Sequence, residues 1–558
     1  MLLSGAPATA RAEPGGQALM RALAAELERS ASQLKDAEKT PLYFLGYEAY
    51  DTERFELDAV EGAVVRESRE HARGLQIDAR VGSRQLDNTH QLKGQNAWDF
   101  LSSPVTPLPL EDNEAAVRAE AWRGTDRAYK EALKRYERVR ANREVTASEE
   151  DPSDDLSDEK PSVFSEWLDS PAVDRQAWSG RLRELSQSFK PYPFIYDSSV
   201  SLSVDTVNRV IVNTDGTRVA AGNRFVHLHY NVISRTEDGM ELERYKSYDA
   251  ESLDGLPPDE TILADMKRSV DELQALRSAP LAEPFQGPAI IRNRAAAVLF
   301  HEILGHRLEG HRQKIEREGQ TFTKLMGKPV TAPFISVYDD PTLEKFRGTS
   351  LRGFYRFDDE GMPAVRVRLI KDGTLESFLM SRSPVRGFAR SNAHGRRSEG
   401  HPIVARMGNT IVEASRSEPY GALRARLIEE IKRQKKSYGL VFDDIEGGFT
   451  GTQRGGPQAF TVLPLLVYRV FPDGRPDEVV RGVDLIGTPL SVFSKIAAAA
   501  DDPDIFNGSC GAESGYVPVS AVAPSLLISE IEVDKKEKSS RKPPLLSPPF
   551  VEGQGGPR

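Results

Sequence analysis

Between Ala295 and His311 the chain reads AAAVLFHEILGHRLEGH, an apolar helix-length run into which His301, Glu302 and His306 are set within six positions. Surroundings this apolar imply burial. A buried imidazole needs a hydrogen-bond partner or a metal, and a buried carboxylate needs a cation or a proton. Any fold available to this sequence must therefore bring compensating groups to this helix, and a zinc ion would satisfy all three side chains at once.

The spacing is unusual for chelation. In the common zincin motif two histidines four apart share a helix face, whereas His301 and His306 are five apart, about 140° around a regular helix. The motif thus predicts either a π-type widening or an end to the helix at Gly305, glycine being the residue most tolerant of such a distortion. A hydrolytic zinc has three protein ligands and an open position for water. For the third ligand the sequence offers His311, Glu309, His394, His401 and Cys510, the only thiol, in NGSCGAESG. Soft thiolate suits zinc, and Gly508 and Gly511 let backbone approach closely, so Cys510 is the choice. Iron or cobalt could use the same donors. Glu302, beside the first histidine, is placed to act as general base on water held by the metal. Against this stands the plain reading that a histidine on an apolar helix is usually a satisfied core residue and a lone cysteine a small buried hydrophobe.

With 558 residues the chain is longer than one core usually organises, so two domains are expected. No apolar run approaches the roughly 18 residues of a membrane span. A formal charge of −10 argues against direct, non-specific nucleic-acid binding. A single cysteine makes no internal disulfide and demands no oxidising compartment, so a cytoplasmic location is expected. The alternative is export: Ala10-Arg11-Ala12 has the look of a signal-peptidase site, and Met1 would then be an internal start.

Along the chain, residues 1–15 read as a flexible tail and 16–285 as an N-terminal α/β domain. Leu19, Leu23 and Leu27 open a helix ending near Leu34, a strand-like stretch runs from Pro41 to Val81, and a second helix starts from Thr125. The run EEDPSDDLSDE at 149–159, within an insertion near 144–175, has the composition of a disordered, solvated loop. Alternation from Ser199 to Val232 around Asp215-Gly216 predicts a hairpin, and Ile262, Met266, Val270 and Leu273 a helix. The Pro- and Ala-rich stretch 280–288 marks the boundary to a β-rich domain at 286–533 that carries the motif helix at its start. Turns are expected at Asp372-Gly373 and Asp473-Gly474, and a helix from Pro419 to Lys436 closed by Gly439. Residues 534–558 read as a disordered tail. The fold class is α+β with two domains.

Beyond the motif helix, HEILGHRLEG, the following block RGTSLRGFYRFDDEGMPAVRVRLIKDGTLESFLMSR, HGRRSEG at 394–400 and GSCG around Cys510 together resemble the TldD/PmbA family of zinc metallopeptidases. The similarity covers most of residues 287–533, with a weaker match at VNTDGT (212–217). It implies a two-domain α+β protein whose metal is held by His301, His306 and Cys510, with Glu302 catalytic. It also implies short or unfolded peptides as substrates, drawn as extended strands into an enclosed cleft, and assembly as a homodimer or with a metal-less family member. His311 departs from the acidic residue expected after LEG and reads as a surface side chain; the 149–159 insertion is also foreign to the pattern.

Arginines 382, 386, 390, 396 and 397 cluster around His394, and Arg396 and Arg397, within the resembling block, are candidates to bind a substrate carboxylate. Asp358, Asp359 and Glu360 read as turn residues. Two other readings compete with a peptidase: a scaffold subunit with a structural zinc, which would have no need of Glu302, and a regulator of a nucleic-acid enzyme, which the acidic charge disfavours.

Overall fold

The computed structural model describes residues 16–37, 39–92, 104–145, 151–315, 318–454 and 460–535. The N-terminal half is built on long antiparallel strands, β1 (Leu42–Val60), β2 (Ala63–Val81), β3 (Ile195–Asn213), β4 (Arg218–Arg235) and β5 (Glu241–Ala250). They lie in the order β2-β1-β3-β4-β5, and the short strands Thr106–Pro107 and Val163–Ser165 complete a seven-stranded sheet. Burial alternates along β3 and β4, which sets one face against helices. Helices α3 (Arg175–Gln187) and α4 (Asp259–Ser278) cover the end around Val200, Leu202 and Val204, while α1 (Gln17–Leu34) and α2 (Glu114–Val145) cover the end around Val210 and Val212. The β3–β4 turn falls at Asp215-Gly216 as expected, with Gly216 at φ 101°. Helix α2 begins eleven residues before the predicted Thr125, because Val117 and Ala121 continue the buried stripe upstream.

The C-terminal half holds two large sheets with α5 (Asn293–Ile303) between them, and two small two-stranded ones. In the first, β6 (Phe285–Ile291), β10 (Gly439–Thr450), β11 (Phe460–Val470), β12 (Val483–Gly487) and β15 (Leu526–Lys535) run in the order β10-β6-β15-β12-β11, and pairing of β10 with β11 closes the ring. The second is six-stranded. It places β8 (Val367–Lys371), β7 (Ile335–Asp339), β9 (Asn409–Ala414), β14 (Gly515–Ala523) and β13 (Asp504–Ala512) in that order, with β13 outermost. Every residue of α5 from Ala295 to Ile303 is buried, as a helix apolar on all sides requires. Helix α6 (Tyr420–Arg433) matches the expected one, but its exit turn is made by Lys435 at φ 54° rather than by Gly439, which instead lets β10 start against Ile431. At Asp372-Gly373 both residues have positive φ, the two-residue hairpin geometry predicted there.

The acidic stretch does not behave as a solvated loop where it is described. Asp155 is buried, accepts from the Asp87 amide at 3.0 Å and from His90 Nδ1 at 2.8 Å, and lies 3.3 Å from Lys314 Nζ. Glu159 accepts from the Ser391 amide at 2.9 Å. Each carboxylate meets a donor supplied from far along the chain, which local composition cannot reveal. The tail expected at 1–15, residues 146–150 of the insertion and 536–558 of the C-terminal tail lie outside the described residues, and β15 continues through Lys535.

Polar groups join the halves. Arg397 donates from Nε to Glu48 Oε2 at 2.8 Å, Arg382 to Asp215 at 2.6 Å, Arg244 to Asp444 at 2.9 Å, and Arg209 pairs with Asp359. Both Arg397 and Glu48 are almost fully buried, so removing one strands the other. We expect Arg397→Met to destabilise the protein by about 3–5 kcal/mol in denaturant unfolding, and Glu48→Gln in the same chain to restore most of it.

Candidate metal centre

Helix α5 ends at Ile303, and a 3₁₀ turn over Gly305–Leu308 follows. Of the two distortions the spacing predicts, the chain uses termination. Gly305 is needed here for room, since a Cβ at this position would overlap the Met407 sulfur. The tighter turn swings His306 back toward His301, so the two rings meet edge to face with centroids 5.2 Å apart.

From across the sheet interface, β13 brings Cys510. Its Sγ lies 3.1 Å from His301 Nε2 and 3.3 Å from His306 Nε2, and the three donor atoms fall within 4.8 Å of one another. All three side chains are buried, Cys510 at 5 % exposure. Burial would raise the thiol's pKa, but His306, His301 and Arg406 outweigh it and hold Cys510 well below its ordinary value. Two imidazole nitrogens converging with a stabilised thiolate form a donor set that fits zinc.

A second layer of charge sets the orientation of these three donors. His306 Nδ1 faces the Glu309 carboxylate at 3.3–3.4 Å, which leaves Nε2 for the centre. Glu309 has no exposed surface. Burial alone would raise its pKa, yet His306, Arg312 and Arg406 hold it at about 2. Arg406 donates to Glu309 at 3.1 Å, to Ser514 Oγ at 2.7 Å and to the Cys510 carbonyl at 2.6 Å, so one guanidinium links the strand bearing Cys510 to the turn bearing His306. Arg312 bridges Glu309 and Glu513, and Glu513 also pairs with His311. His311 is thus a buried member of this layer and not the surface residue its position suggested; Glu309, weighed as a ligand, is instead the partner of one.

The centre opens on a cavity of about 600 Å³ lined by β10, β13 and the N-terminal sheet. Glu302 lines it beside His301 and lies against Gly448, whose absent Cβ would come 2.9 Å from Glu302 Cγ and 2.9 Å from the Thr461 carbonyl. The pair Gly447-Gly448 inside a strand was the available sequence signal for so close an approach.

The whole of this centre falls inside residues 285–535, which match the family model described as the PmbA/TldA metallopeptidase C-terminal domain. A Haemophilus influenzae protein named a metalloprotease TldD homolog is 30% identical over 345 residues, 60% of this chain and 67% of that protein. The chain belongs to the TldD/PmbA metallopeptidase family. A second relative, from Saccharolobus solfataricus and named a zinc metalloprotease TldD homolog, is 25% identical over 280 residues, 49% of this chain and 55% of that protein. In fold, this TldD/PmbA member resembles the crystal structure of TldE from Thermococcus kodakarensis, with a TM-score of 0.60 at 14% identity, covering 92% of this chain and all of that one.

Several predicted site residues lie elsewhere. Arg396 and Arg397 do not line the cavity. Arg396 donates to the Met407 carbonyl at 2.5 Å and sits 4.9 Å over the Tyr355 ring; burial, only partly offset by Tyr355, lowers its pKa to about 10. Arg397 is committed to Glu48 and Tyr50. His394 pairs with Asp339, and His401 with the Glu399 carbonyl. Asp358 does make a turn, accepting from the amides of Glu360, Met362 and Gly395, and it is fully buried in doing so. What the sequence concealed is the charged layer of Arg406, Arg312 and Glu513 and the wall contributed by the first domain.

Two outcomes follow. Glu309→Gln should weaken divalent-metal affinity about 10- to 100-fold in a competitive chelator titration while the protein remains folded. Gly305→Ala should lower it through steric displacement, and Met407→Ala in the same chain should recover a substantial part, a recovery that a loss of backbone freedom alone would not allow.

Proposed function

We propose that this family member is a zinc-dependent peptidase acting on short or unfolded peptides. The observation that carries the reading is the convergence of His301, His306 and Cys510 on one buried point with Glu302 beside it at the wall of a cavity. Bound there, zinc would serve as a Lewis acid that acidifies water and polarises a carbonyl. Glu302 takes the proton from the attacking water and hands it to the departing amine. Glu309 keeps the His306 ring turned so that Nε2 faces the centre, and Arg406 holds the Cys510 backbone in register with it. The closeness of β10 to Glu302, allowed by Gly448, limits the positions the carboxylate can take.

The cavity walls support an extended substrate. Strand β13 is the outermost of its sheet, and residues 443–450 of β10 are paired on one side only, with β11, among the described residues. Two strand edges that no further described strand covers thus border the centre, and a peptide laid along one of them gains affinity through its backbone, with weak demands on sequence. Assembly as a homodimer, or with a metal-less relative, belongs to the same reading, as does a cytoplasmic location; no described helix is long and apolar enough to cross a membrane.

The competing reading is a scaffold subunit with a structural zinc. Metal analysis and hydrolysis of an unstructured peptide, run on the same preparations, separate the two. We expect about one zinc per chain, loss of zinc in Cys510→Ala, and zinc retained in Glu302→Gln with turnover reduced about 10²- to 10⁴-fold. Zinc present in a wild-type protein that turns over no peptide would favour the scaffold, and a protein that takes up no zinc would sink both.

A further inference from the structure

Away from the metal end, where Glu302, Glu318 and Glu446 also line the space, the cavity is bordered by imidazoles of the N-terminal domain and by one guanidinium of the C-terminal domain. Strand β4 contributes His227 and His229 to that wall, and Arg352 stands beside them. Arg352 is half committed. Its guanidinium lies 5.9 Å over the Phe225 ring and makes no hydrogen bond among the described residues; it pairs with Asp249 only at 3.9 Å, from Nε to Oδ1.

Asp249 compensates this charge only at a distance, because both its oxygens hold shorter hydrogen bonds to other groups. Oδ1 faces His227 Nδ1 at 2.8 Å, and Oδ2 accepts from Asn507 Nδ2 at 3.1 Å. His227 in turn has no hydrogen bond from Nε2 within the described chain. His229 is held through Nδ1 by Ser247 Oγ at 3.1 Å and stacks on His227 with centroids 5.8 Å apart. The wall therefore offers a fork of guanidinium N–H groups and an imidazole edge to the cavity, an arrangement that matches a planar carboxylate.

Asn507 fixes where this wall lies relative to the chemistry. It is bonded to Asp249 and sits three residues before Cys510 on β13, which is about 10 Å along an extended strand. We propose that Arg352 and His227 form a carboxylate-binding subsite for the substrate, two to three residues from the bond to be cleaved. The carboxylate is either an acidic side chain or the free end of the peptide, and the second source would make the enzyme trim a short fragment from the C-terminus. The inference rests on the peptidase reading.

The test uses fluorescent unstructured octapeptides in which Glu replaces Gln at one position at a time, and an all-Gln peptide ending in either a free carboxylate or an amide. Affinity is measured on zinc-loaded Glu302→Gln protein, and cleavage rates and sites on wild type. At one position, or at the free terminus, the carboxylate peptide should bind at least about tenfold more tightly than its neutral twin. Which arm shows the difference identifies the source. Adding Arg352→Gln should bring the ratio to about one, while Arg352→Lys keeps part of it; a ratio within one protein is insensitive to modest changes in stability. A ratio near one in every pair, no binding by any peptide, or a preference that survives Arg352→Gln would overturn the subsite. Cleavage without preference leaves the peptidase standing and removes the subsite, whereas preference without cleavage does the reverse.

Discussion

The metal centre depends on one guanidinium with no exposed surface. Arg406 spans from Glu309, the partner of His306, to the carbonyl of Cys510, and so holds together two candidate ligands that lie 204 residues apart in the chain. Taking such a charge out of water is costly unless its hydrogen bonds are all met, and here Ser514 and the Gly515 carbonyl take up further donors. Arg312, Glu513 and His311 extend the network behind the ligands. Each buried charge makes the next tolerable, because Arg406 and Arg312 share Glu309, and Arg312 also reaches Glu513. The layer's rigidity is what lets three donors sit within a few ångströms of each other in a core that otherwise excludes polar atoms.

The division of labour between the halves follows from this. The C-terminal half carries the candidate ligands, Glu302 and the charged layer, and it is the part matched by the family model. The N-terminal half closes the cavity with the middle of β4 and β5, through His227, His229, Tyr245 and Ser247. Buried ion pairs such as Arg397 with Glu48 and Arg244 with Asp444 join the two at fixed register. A cavity shared between two domains is a usual place for a ligand, because neither domain has to hollow out its own core to provide it.

Much of the fold could be read from local pattern. The leucine spacing of α1, the alternation through β3 and β4, the turns at Asp215-Gly216 and Asp372-Gly373, and the apolar surroundings of His301 all rest on neighbours within a few residues, where periodicity and turn chemistry act. Readings that failed share a different trait. The acidic stretch looked solvated because its donors, Lys314, Ser391 and His90, come from other elements. Arg396 and Arg397 looked free because Met407 and Glu48 are remote or inconspicuous in sequence. Charge satisfaction is a pairwise, long-range matter, and a composition window does not contain it.

The motif alone was enough to require a compensated cluster around His301, Glu302 and His306, since apolar neighbours leave those groups no water, and the spacing required the helix to distort near Gly305. Tertiary structure decided the manner and the company: termination into a 3₁₀ turn under Met407, Glu309 as orienting partner, Arg406 as the strut, and a wall of imidazole and hydroxyl groups from the other domain. The reason is physical. A polar group's need for a partner is written in its immediate surroundings, but the partner's identity depends on which distant segments the packing of two sheets around α5 brings within hydrogen-bonding reach.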